Sequence, residues 1–165
     1  MHYTGIGSRS TPKEVQHKMH RIAQFLSSRN FILRSGGADG ADSAFELGAL
    51  SKEIYLPWEN FNKNESLLFP PKKEAYILAE KYHPKWDYLR DSVKALMARN
   101  MHQVLGWELN APSKFTVCYT ADGGDSGGTG QALRLCRDLK IPVFNLYHEK
   151  SVEELSAFVQ TLRQI

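Results

Sequence analysis

Short apolar runs alternate along this chain with longer stretches in which apolar residues recur every three or four positions. Runs of the first kind read as strands, and stretches of the second kind as amphipathic helices. Residues 2–6 predict an opening strand. Val15, Met19, Ile22, Ala23 and Leu26 then keep helical spacing and predict a helix starting at Thr11. Thr11 stands as its cap, with Pro12 at the first helical position and Glu14 three residues on, the order of a capping box. A second strand over 31–33 ends at Arg34, and a helix follows over 41–50 with Ala44, Phe45 and Leu47 inward. A third strand over 53–56 stops at Pro57-Trp58.

Between positions 58 and 112 this rhythm breaks. An irregular stretch rich in proline and asparagine leads into predicted helices over 72–82 and 86–105. A connection of this length inside a compact domain carries function or disorder, and its aromatics and helical spacing predict an ordered lid. The run Phe115-Thr116-Val117-Cys118-Tyr119 has the continuous apolar character of a central parallel strand. A helix over 130–139, a strand over 143–146 and a last helix with Val152, Leu155, Phe158, Val159 and Leu162 inward complete the pattern. Strands alternating with helices imply an α/β fold: a Rossmann-like, doubly wound parallel sheet of about five strands with helices on both faces. Right-handed crossovers favour the strand order 3-2-1-4-5. The expected organisation is one domain over 1–165, with 57–112 a helical insertion after the third strand.

Glycine-rich turns stand where the first, second and fourth strands run out: Gly5 to Ser10, Ser35 to Gly40, and Asp122 to Gly130. In an open α/β sheet the carboxyl ends of the strands form the ligand crevice, at the point where strand order reverses. The expectation is that the segments near 7, 37 and 128 converge on one pocket rich in main-chain amides. In the first turn Gly5 and Gly7 keep part of a dinucleotide fingerprint. Ser10 replaces its third glycine, however, and Arg34 replaces the acid that would bind ribose, which argues against NAD. Ser8 and Arg9 suit a phosphate, and a solvated arginine on a tight turn is the alternative. In the second turn Asp39 and Asp42 sit at a helix start, where capping and a direct ligand role are both open.

The third turn spells motifs that its context excludes. Gly124-Asp125-Ser126-Gly127-Gly128 matches a trypsin-like signature, yet the chain reads as strand and helix throughout. The same run fits a hydrolase elbow, but Ser126 stands well past the strand and only His148 follows it. No lysine follows Gly128, so it is not a Walker loop. An amide-rich phosphate cradle remains. Arg99, near the end of a predicted helix, is a candidate for the same ligand or simply a solvated helical arginine.

A net charge of +3 permits phosphate contact but falls short of the basic footprint of a dedicated duplex binder. Cys118 and Cys136 lack metal-like spacing and read as reduced core residues. The histidines show no ligand spacing beyond a weak i, i+3 pair, so neither a metal nor another cofactor is expected. Without a charged-then-apolar leader or a membrane-length apolar stretch, the expected location is the cytoplasm.

Gly5-Ile6-Gly7-Ser8-Arg9 together with Ser35-Gly36-Gly37-Ala38-Asp39-Gly40-Ala41-Asp42 resembles the GSR and SGxAxGID signatures of the DNA-processing protein A (DprA-like) family. That family shares a Rossmann-like fold with the Lonely Guy phosphoribohydrolases in a wider nucleotide-binding superfamily. Their arginine and PGGxGTxxE motif is echoed by Arg99 and Gly127-Gly128-Thr129-Gly130. The resemblance covers most of the chain outside 58–94, and small stand-alone DprA-like members, many from bacteriophages, have this form. Gln131 stands at the family threonine, and Ala132, Leu133 and Arg134 span the place of the catalytic glutamate. The family proline is also missing.

The resemblance implies a nucleotide ligand, cleavage of an N-glycosidic bond, and a homo-oligomer such as a dimer. The ligand-binding residues it implies are Gly5, Gly7, Ser8, Arg9, Ser35, Gly36 and Gly37, with Asp39 and Arg99. The third turn adds Gly124, Ser126, Gly127, Gly128, Thr129 and Gly130. The family's catalytic carboxylate is absent from its motif position, so Arg99 with Asp39, Asp42, Asp122 or Asp125 would supply the catalysis, or the nucleotide is bound without hydrolysis. The alternatives are a mediator of recombination that binds single-stranded DNA, and a protein that senses or sequesters a nucleotide signal without turnover.

Overall fold

The computed structural model describes residues 1–162; the last positions of the expected domain, 163–165, lie outside the described residues. Strands β1 (His2–Gly7), β2 (Ile32–Ser35), β3 (Lys52–Ile54), β4 (Thr116–Tyr119) and β5 (Val143–Asn145) form one parallel sheet. Its order is β3-β2-β1-β4-β5, as the alternation of strands and helices predicts. Thr4 aligns with Arg34 on one side and Thr116 on the other, so strand order reverses between β1 and β4.

Successive side chains of a strand point to opposite faces, and the sheet separates two cores accordingly. Tyr3, Phe115 and Val117 enter one core with α1 (Lys13–Ser27), α2 (Ala41–Gly48) and α6 (Ser151–Thr161). Ile6 and Cys118 enter the other with α3 (Lys73–Lys81), α4 (Asp91–Leu105) and α5 (Gly127–Asp138). The fold is thus a Rossmann-like α/β sandwich of three layers. Both cysteines are buried and unpaired.

Segment 57–112 differs from the expected lid. Met101 and Val104 of α4 are fully buried, and α4 forms the sheet's second helical layer with α5. The predicted helix 86–105 is broken in two: a 3-10 turn, Trp86–Tyr88, precedes an extended Leu89 and Arg90, and α4 begins at Asp91. The segment is tied to the sheet by a polar and aromatic knot. Buried Arg34 donates from Nε to Glu53 Oε2 at 2.8 Å and from Nη1 to the carbonyl of Ala111 at 2.5 Å. The Tyr55 hydroxyl donates to the same Glu53 oxygen at 2.6 Å. The rings of His102, Tyr55 and Trp107 pack against one another in a near-parallel trio, each pair of centroids 5.1–6.3 Å apart. His102 Nε2 accepts from the Lys72 amide at 3.1 Å, which makes Nδ1 the protonated nitrogen that donates to Gly106 O.

Three local expectations are corrected. Thr11 does not cap α1: its hydroxyl donates to Ser8 O at 2.5 Å, and the amides of Val15 and Gln16 bond to Pro12 O instead. Leu47 is 78% exposed because α2 buries the stripe Ala41, Ala44, Phe45 and Gly48, where Gly48 meets the α1 backbone at His20. Val152 is exposed too, since α6 turns Ser151, Leu155 and Val159 inward.

Candidate functional site

A cavity of about 440 Å³ opens where β1 and β4 end, at the reversal of strand order. Gly7, Ser8 and Arg9 contribute from the first turn, and Ala38 and Asp42 from the second turn and the start of α2. Thr120 and Ala121 follow β4, and Ser126 through Thr129 bring in the start of α5. The remaining wall is α4, through Val93, Leu96, Met97, Arg99 and Asn100. Gly37 does not reach the cavity; its turn is represented there by Ala38 and, one helical turn on, Asp42.

Asp42 is 2% exposed. Its Oδ2 accepts the Ala38 amide at 3.3 Å, while Oδ1 is buried without a partner. Burial pushes the carboxyl up to about 6, against the pull of the nearby Arg99 cation and the Ala38 amide. Arg99 is 5% exposed, so the solvated alternative for it falls. Burial lowers its pKa, and the attraction of Asp42 works in the opposite direction. Its Nη1 donates to Gly36 O, and its Nε to Asn100 Oδ1 at 3.3 Å. Gly36 permits this approach, because a Cβ there would overlap the guanidinium. Nη2 has no hydrogen-bond partner and is not sealed from the cavity. Asp42 and Arg99 form no direct ion pair among the described residues. A buried cation and a buried carboxyl thus share the cavity with capacity to spare.

The third turn supports itself. Asp122 Oδ1 accepts from the Gly124 amide at 3.0 Å and the Ser126 hydroxyl at 2.9 Å. The Thr120 hydroxyl donates to Gly124 O at 2.8 Å and accepts from Asn145 Nδ2 at 2.7 Å. The helix starts at Gly127, earlier than the predicted 130, so Gly127, Gly128 and Thr129 form the first turn of α5. Gly130 is the first residue in it whose amide bonds back, to Ser126 O; the amides ahead of it are free, as at any helix start. Gly127 has φ +66 and open space where a side chain would stand, so the chain turns into the helix with its amides bare toward the cavity.

Of the candidate residues, the structure brings Gly7, Ser8, Arg9, Arg99, Asp42, Ser126, Gly127, Gly128 and Thr129 to one cavity. It places the others elsewhere. Gly5 lies within β1 against Phe45 and Leu33, and Ser35 is buried with its hydroxyl donating to Gly5 O at 2.7 Å. Gly36 supports Arg99 from behind, and Gly37 packs against Leu56 and Ile54. Asp39 is exposed and accepts from Asn62 Nδ2 at 3.0 Å, outside the cavity. Asp125 turns to Arg137, 3.2 Å away, and with Gly124 lines a neighbouring hollow; Gly130 is buried beneath Asp125. The acids Asp39 and Asp125 are therefore not placed to act on a ligand here. Ser126 makes no hydrogen bond to a histidine among the described residues.

Asn100 and the apolar wall were missed. Val93, Leu96, Met97 and Asn100 stand at i, i+3, i+4 and i+7 of one helix, a spacing visible in the chain but indistinguishable there from ordinary core. Asn100 joins the two halves of the site: Oδ1 accepts from Arg99 and Nδ2 donates to Gly128 O at 3.2 Å.

Among the described residues no group of histidine, cysteine or acidic side chains could hold a metal, and no helix is long and apolar enough to cross a membrane. No family model, curated protein or solved structure matches this chain. The likeness to the DprA-like and Lonely Guy families rests on the quoted residues alone.

Proposed function

We propose that the cavity binds a nucleoside 5′-monophosphate and that the protein hydrolyses its N-glycosidic bond. One observation carries the reading. Asp42, whose buried Oδ1 has no partner, lines the same cavity as the Arg99 guanidinium and the bare first turn of α5. Helix starts of this kind hold phosphate through free amides and the helix dipole, and Arg9 and the Thr129 hydroxyl stand beside it. The volume falls within the range of about 300–1,000 Å³ usual for small-molecule sites.

With phosphate at α5, the ribose lies toward Asp42. The bond from C1′ to the base nitrogen breaks, and the base departs with the electron pair and takes a proton from solvent. The Asp42 carboxylate opposes the positive charge growing on the sugar and accepts a proton from the water that adds to C1′. The products are free base and ribose 5-phosphate. Because the ionised form works, the rate falls by about tenfold per unit as pH drops below the Asp42 value, which is about 6.

Incubation with nucleoside monophosphates, followed by chromatography for free base, tests this. The expected result is base release by the protein and none by Asp42→Asn. Binding without release from a broad panel would leave a protein that sequesters nucleotides, and absence of binding would remove the reading altogether. One feature favours the single-stranded DNA alternative: Lys72, Lys81 and Lys94 stand over Trp107, Tyr82 and Trp86 within 5.5 Å of the ring centres. Oligonucleotide affinity at two salt concentrations separates that reading, since a strand held on lysines weakens steeply with salt.

A further inference from the structure

The cavity's polar groups divide into those already spent and those still free. Thr120's hydroxyl is committed in both directions, to Gly124 and Asn145. Ser126's hydroxyl donates to Asp122, and both ends of the Asn100 amide are engaged. The free side-chain groups are Arg9, Arg99 Nη2 and the Thr129 hydroxyl; the Ser8 hydroxyl accepts from the Ser10 amide at 3.0 Å and keeps its own proton to donate, and Asp42 Oδ1 is unpartnered but buried behind them. These, with the α5 amides, are what a phosphate and a ribose consume.

The α4 wall beyond them is apolar. Val93 and Leu96 are half-buried, and Met97 reaches the α5 turn, its Cε 2.9 Å from where a Cβ on Gly128 would stand. No side chain of this wall carries a donor or acceptor with which to read a base edge.

We infer that the site takes nucleoside 5′-monophosphates without regard to the identity of the base, holding the ring by its face against Val93, Leu96 and Met97. This rests on the nucleotide reading given above. The physical ground is an asymmetry of recognition. Apolar contact separates similar ligands by about 10- to 200-fold, whereas a site built to hydrogen-bond a substrate group rejects the analogue lacking it by about 10⁴-fold or more. An apolar wall therefore grades bases by contact area and leaves their edges unread.

Calorimetric titration with AMP, GMP, CMP, UMP and ribose 5-phosphate tests it. The expected Kd values for the monophosphates fall within about tenfold of one another, purines tightest, and ribose 5-phosphate binds more weakly than all of them. Leu96→Asn weakens every monophosphate by a similar factor and leaves ribose 5-phosphate unchanged; Val93→Ser, a smaller change at the other half-buried position, gives the same pattern if Leu96→Asn does not fold. A preference of about a thousandfold for one base, or ribose 5-phosphate binding as tightly as the monophosphates, overturns the inference while the nucleotide site stands. If neither ribose 5-phosphate nor any monophosphate binds, both fall together.

Discussion

Asp42 is held where an ionised carboxylate is poorly solvated, and that makes its charge costly. In the unfolded chain an aspartate titrates near about 4, whereas burial pushes it up to about 6 in the fold. The folded state therefore holds the proton more tightly. Its penalty for ionising Asp42 is absent below pH 4, grows as pH rises between those values, and is complete above 6. The difference corresponds to about 3 kcal/mol at neutral pH. Asp42→Asn removes the charge, so the variant should melt at a higher temperature than the parent at pH 8 and at the same temperature at pH 4, while base release is lost. Equal melting at pH 8 would show that the carboxyl is not desolvated as described. None of this is legible in the chain, where an acid in the first turn of a helix looks like a partner for the dipole. Arg99 is likewise ambiguous by sequence, because its burial depends on a carbonyl, Gly36 O, contributed by a distant turn.

At the scale of elements, the strand-to-helix alternation was readable because the strands are short and the first three run into glycine or proline at Gly7, Gly36 and Pro57. What was not readable is where helices start and which way marginal residues face. Thr11 looks like a cap, yet its hydroxyl closes the preceding glycine turn. The glycines at 127 and 128 look like loop but lie inside α5, because a helix start tolerates residues that its middle does not. Segment 57–112 looks like a lid because its helices are flanked by irregular chain, but its attachment to the sheet runs through Arg34 and Glu53. Burial alone would raise the Glu53 carboxyl, but the bonds from Tyr55 and Arg34 outweigh it and hold the pKa below the usual range. The stability Glu53 contributes is therefore present at neutral pH and lost as pH falls through that lowered value. Glu53→Ala leaves Arg34 buried and uncompensated, a change that costs about 3–5 kcal/mol. Urea titration should show the midpoint falling accordingly, and a shift under 1 kcal/mol, the scale of an exposed pair, would mean that Arg34 finds water instead.

Over the whole molecule, the sheet order was derivable from handedness and connection lengths, and the crevice follows from the order. The members of the site were only partly derivable, since residues near 8, 42, 97 and 128 meet through packing that periodicity does not encode. A ligand that binds only the assembled site stabilises the entire native state, by about 2.7 kcal/mol at one hundred times its Kd. Hydrogen exchange with saturating AMP should accordingly slow at Val117 and Cys118 in β4 as well as in the first turn of α5. Absence of protection at that turn would place the ligand elsewhere, and protection confined to it would mean that binding does not stabilise the native state as a whole.

The meeting of β1 and β4 has a mechanical consequence. Within the sheet, an early run of β1, β2 and β3 and a late run of β4 and β5 meet along that seam. An occupant lodged across the seam acts as a rivet: neither portion can peel away without first ejecting it, so the two blocks are made to hold or fail as one.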